Sequence, residues 1–96
     1  MEEDIIDAIQ NKNLIEIYYE NQLQVVEPYC YGISKRGEEI LKAYLIQGCQ
    51  KELKTNWNNY YLDKANDLNV LKQTFIYVRE DYARGDEEMY HIYAQL

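Results

Sequence analysis

The stretch VVEPYCYGISKRGEEILKAYLIQG, residues 25 to 48, decides the fold. Two apolar runs flank the polar tip Ser34-Lys35-Arg36-Gly37-Glu38-Glu39, which is the pattern of a β-hairpin. Strands are expected over about residues 23 to 34 and 39 to 48. Side chains alternate along a strand, so Leu41, Ala43 and Leu45 share one face, and Ile40, Lys42, Tyr44 and Ile46 share the other. Both faces are partly apolar. One can line a core while the other meets the helix, the C-terminal tail or a partner. Pro28 has no N–H to give to a ladder, so it places the first strand at an edge or marks a bulge, the device by which a small barrel bends a long strand.

Upstream, EEDIIDAIQNKN carries Ile5, Ile6, Ala8 and Ile9 on one helical face, with Glu2, Glu3 and Asp4 at the positive end of the helix dipole. A short helix is expected over about residues 3 to 12. In NLIEIYYENQ the period changes: Ile15, Ile17 and Tyr19 alternate with Glu16, Tyr18 and Glu20, which predicts a half-buried strand and then a turn at Asn21-Gln22. Downstream of the hairpin, QKELKTN is a polar connection. WNNYYLDKANDLNVL supplies two short strands, about 57 to 62 and 67 to 72, divided at Asp63-Lys64. The tail DEEMYHIYAQL supports two periods. Met89, Ile92, Tyr93 and Leu96 hold helical spacing, whereas Tyr90, Ile92 and Ala94 alternate as in a strand. The expectation is a helical turn at 86 to 89 followed by an extended end. Five short strands after one helix fit a small twisted barrel, so residues 1 to 96 read as one α+β, mainly β domain.

Composition narrows the function classes. Eleven tyrosines stand against one phenylalanine, and tyrosine can build a core, a wet interface or a stacking platform. The net charge of −7 opposes binding of long duplex DNA, whose affinity rests on Lys and Arg releasing counterions. Cys30 and Cys49 show no zinc spacing and are expected as reduced thiols. No signal-peptide pattern or membrane-length apolar run is present, so an intracellular, cytoplasmic protein is expected. Catalysis needs a convergent set of nucleophile, base or metal ligand. His91 stands alone, and Glu38-Glu39 and Asp86-Glu87-Glu88 read as solvated charge at turns, so the chain is expected not to be an enzyme and to carry no metal or cofactor.

The succession IIDAI, IEIYY, VEPY, a hairpin and YYLDKANDLNVL resembles the WYL-domain family over about residues 4 to 75. That resemblance implies a small five-stranded Sm-like β-barrel preceded by one helix, with a short C-terminal extension. It also implies a ligand-sensing role in a regulatory or defence-related setting, nucleic acids or nucleotides being ligands in several members. Tyr19 takes the place of the family tyrosine that closes the first strand, and VEPY at 26 to 29 matches the most legible motif. The name-giving Trp-Tyr-Leu falls on Glu39, Ile40 and Leu41. The family's Arg-x-Phe-Arg-Leu-Asp-Arg-Ile falls on Asn58, Asn59, Tyr60, Tyr61, Leu62, Asp63, Lys64 and Ala65, so of three arginine positions only Lys64 keeps a positive charge.

The ligand-binding candidates are Tyr19, Tyr29, Lys42, Tyr44, Lys54, Trp57, Tyr61 and Lys64. Aromatic rings would stack on a base while ammonium groups meet a phosphate, which suits a nucleotide or short oligonucleotide. The alternative is a protein-interaction module that assembles with a protein partner or as a homo-oligomer, since tyrosine is enriched at such surfaces.

Overall fold

The computed structural model describes residues 2 to 48, 55 to 84 and 89 to 96. The chain runs through α1 (Glu2–Asn11), β1 (Asn13–Tyr19), β2 (Gln22–Ser34), β3 (Glu39–Gln47) and β4 (Trp57–Tyr61). A 3-10 turn (Leu62–Lys64), β5 (Ala65–Thr74) and β6 (Met89–Gln95) follow. The antiparallel sheet has the order β4-β3-β2-β1-β5, with β6 added to β2. The molecule is thus mainly β with one N-terminal helix.

β2 organises the sheet. Thirteen residues at strand spacing would run roughly 43 Å, yet the molecule measures 30 × 28 × 28 Å, so β2 has to bend. It bends at Pro28. The pairing with β3 shifts register between Pro28 and Cys30, which is the expected bulge. The opposite edge of β2 changes neighbour at the same place: Gln22 to Val26 pair with β1, whereas Cys30 to Ser34 pair with β6. Proline without an N–H is tolerated because it sits between the two ladders. The edge alternative fails, for β2 is central.

The bend gives the sheet two working faces. On the inner face α1 lays Ile5, Ala8 and Ile9 against Ile15, Ile17, Val26, Tyr31, Leu41, Leu45 and Tyr60, all buried. Gln24 is buried with them; it donates to the Tyr19 carbonyl at 3.3 Å and accepts from the Tyr60 hydroxyl at 2.7 Å. On the outer face Cys30, Ile40 and Met89 form a smaller cluster, with Tyr61 and Ile92 against it.

The hairpin at 25 to 48, the helix and the buried face of β1 stand where the sequence places them. Three expectations are corrected. The first turn is Glu20-Asn21, one residue earlier than expected, and both residues have positive φ (51° and 61°), the conformation that closes a two-residue hairpin with the right twist. The described residues form six strands rather than five, because the tail from Met89 is extended and finds the free edge of β2. Residues 86 to 88 of the expected helical turn lie outside the described residues, as do Cys49 and Lys54. Finally, β4 and β5 form no ladder with each other among the described residues, so the sheet is not a closed barrel. β4 and β5 are nevertheless the two ends of the main path, and only three residues join them. Such a short link forces the sheet to curl until its edges approach.

Candidate functional site

Register arranges the outer face of β2, β3 and β4 in cross-strand rows. Glu27 faces Tyr44, which faces Trp57; Cys30 faces Lys42, which faces Asn59; Gly32 faces Ile40, which faces Tyr61. Rows on one face are two residues apart along the strand, so the first and third lie roughly 13 Å apart.

The first row is an aromatic box with an acidic floor. Tyr29, swung onto this face by the bulge, lies edge-on to Trp57 with ring centroids 4.8 Å apart, and Tyr44 meets Trp57 at 5.2 Å. The segment 75 to 84 passes over the row as a strap outside the strand pairing. Phe75 and Tyr82 close on Tyr29 at 5.5 and 4.9 Å, and Tyr82 also stacks on Trp57 at 5.9 Å. Arg79 enters the box. Its Nε and Nη2 donate to the two carboxylate oxygens of Glu27 at 2.9 and 3.2 Å, and its guanidinium lies 3.7 Å from the centroid of the Tyr44 ring. The Tyr29 hydroxyl donates to Glu27 Oε1 at 3.1 Å and accepts from the Arg79 N–H at 3.0 Å. The Trp57 indole N–H donates to Asp81 at 2.8 Å. Burial and the neighbouring Glu27 charge push the Tyr29 hydroxyl up to about 12, although the Arg79 N–H partly opposes them. Tyr31, on the inner face, is raised further by burial and by the hydrogen bond it donates to Glu39 at 2.6 Å. The Glu27 carboxylate holds Arg79 above its ordinary value.

Beside the third row two cations, Lys35 and Arg36, stand against one carboxylate, Glu38. A groove of about 360 Å³ beside the β2–β3 tip is lined by Ser34, Lys35, Arg36, Glu38, Ile40 and Tyr61. The Lys64 Nζ stands 5.3 Å from the centroid of the Tyr61 ring, within cation–π range.

The structure therefore divides the expected site. Tyr29, Tyr44 and Trp57 come together, but under the strap; Tyr61 lines the basic groove and Lys64 meets its ring; Lys42 lies in the row between the two sites. Tyr19 belongs to the core, packed edge-on against Tyr60 at 5.1 Å, with its hydroxyl accepting from the Tyr61 N–H at 3.3 Å. Sequence reading missed Glu27, Phe75, Arg79 and Tyr82. Glu27 and Arg79 are 52 residues apart, and neither stands in a local pattern that announces a pair. Lys35 and Arg36 were visible as a hairpin tip, but nothing local tied them to Tyr61.

Among the described residues no three His, Cys, Asp or Glu side chains gather as metal ligands, and no helix is long and apolar enough to cross a membrane. His91 is exposed and meets Tyr93 edge-on at 5.2 Å. Compared with known proteins, the chain matches no family model, no curated protein and no solved structure.

Proposed function

We propose that this chain is a noncatalytic regulatory domain, a WYL-like small barrel left open between β4 and β5, that binds a nucleotide or short oligonucleotide at the basic groove of its outer face. The barrel reading is supported by the curl that the three-residue link between β4 and β5 imposes on the sheet. The observation that carries the ligand reading is that Lys35 and Arg36, outnumbering the single carboxylate Glu38, line a groove walled by Tyr61, whose ring already attracts the Lys64 ammonium. A base stacks on tyrosine for roughly 1–3 kcal/mol. Arginine and lysine supply the charge-assisted hydrogen bonds that a phosphate requires. The Glu27 box cannot do this, since a buried carboxylate repels a phosphate.

Anisotropy of a fluorescently labelled nucleotide panel tests the reading. Arg36→Ala and Lys64→Ala are each expected to weaken binding about tenfold, close to 1.4 kcal/mol and at the lower edge of what one hydrogen bond to a charged group supplies. Full retention of affinity in both variants would refute the assignment.

A further inference from the structure

Apart from the basic groove, the outer face holds a second device, the acid-floored box with Arg79 in it. We propose that this box is an arginine receptor, and that an extended, arginine-bearing segment of a protein partner displaces Arg79 from it. The inference is independent of the nucleotide reading, because the two sites lie two rows apart on the sheet.

The chemistry of the box selects a guanidinium. A planar fork can give two parallel hydrogen bonds to the Glu27 carboxylate while its face rests on the Tyr44 ring, and Arg79 does both. A lysine ammonium is a point charge and makes only one of these contacts well. Arg79 is seated, but the strap that carries it is poorly covered. Between the anchors Phe75 and Arg79, the strap leaves Ile76 77%, Tyr77 83% and Val78 43% exposed. Three consecutive apolar residues outside any strand pairing form a surface that a partner can cover. The box is also reachable without unfolding. An open groove lined by Glu27, Tyr44 and the strap residues 75 to 81 leads to it, and the Arg79 side chain is 38% exposed where Glu27 is 9% exposed. A net charge of −7 draws a basic segment towards the molecule.

The test uses the whole chain carrying Arg79→Ala, with Trp57 as the only indole and a wall of the box. The blocked tetrapeptide VRED, which repeats the strap's own residues 78 to 81, is titrated while Trp57 fluorescence is followed, with VKED as the control. The expected result is saturable binding of VRED to the variant, at least tenfold weaker binding to the wild type, where Arg79 competes, and at least tenfold weaker binding of VKED. Adding Glu27→Gln to the variant should abolish the response. If Arg79→Ala lowers the folded fraction by circular dichroism, millimolar N-methylguanidinium should restore it. The proposal is overturned by the absence of a saturable response and of rescue, by equal binding of VRED and VKED, or by dimerisation of the variant without peptide binding, which would give the box to a second copy. Affinity for nucleotide should be the same with and without Arg79→Ala, so failure of either site leaves the other standing.

Discussion

Tyr29 sits where burial and charge meet, and its pH behaviour follows from that position. An unfolded tyrosine ionises near 10, whereas in the fold Tyr29 is pushed up to about 12. The unfolded chain therefore loses this proton first. The stabilisation is complete below pH 10 and disappears as pH rises to 12. Tyr31, raised in the same direction, adds to the effect. Denaturant midpoints measured between pH 9 and pH 12 should fall, and Tyr29→Phe should flatten that fall. At neutral pH the residue that matters is Arg79. Its removal leaves the Glu27 carboxylate in an aromatic pocket without its bidentate partner, and should cost about 1–3 kcal/mol by urea titration, the range for a buried polar group that loses its partner. If Arg79→Ala unfolds at the wild-type midpoint, the pair is ornamental and Arg79 does not hold the strap.

Elements were legible in proportion to how local their signal is. Alternation in LKAYLIQ assigns Leu41 and Leu45 to one face, and both are buried there. Leu41→Asp or Leu45→Asp puts an unpaired charge in that core and should abolish the folded circular-dichroism spectrum at room temperature. Pro28 signalled a bulge or an edge, and only the neighbours of β2 could say which. β6 was the least legible element because its period fits helix and strand equally; an open edge of β2 decides it, and that edge exists only after the fold has formed. Gly32 guards this pairing. A Cβ there would stand 2.2 Å from the His91 carbonyl oxygen, which is backbone and cannot step aside. Gly32→Ala should therefore loosen β6 and raise amide hydrogen exchange at residues 89 to 95 well above that of β1.

At the scale of the whole molecule, charge and curvature set what the surface can meet. The net charge of −7 should keep random duplex DNA in the nonspecific range, ~10⁻⁴ M or weaker at physiological salt, and mobility-shift titration checks this directly. Aromatic content led to the expectation of a ring platform, and three of the expected tyrosine and tryptophan positions do gather on the outer face. Their fate under a strap was not legible, since FIYVREDYAR has no period and its partners are set by tertiary closure. The basic groove was equally hidden, because β4 brings Tyr61 beside a tip that lies more than twenty residues earlier in the chain. Its occupation by a nucleotide is the central claim. Amide chemical-shift mapping of the wild-type protein with a panel of nucleotides tests it most directly. The account predicts saturable shifts at Ser34, Lys35, Arg36, Tyr61 and Lys64 with the Trp57 indole unmoved; no shifts at millimolar nucleotide, or shifts centred on Trp57, would contradict it.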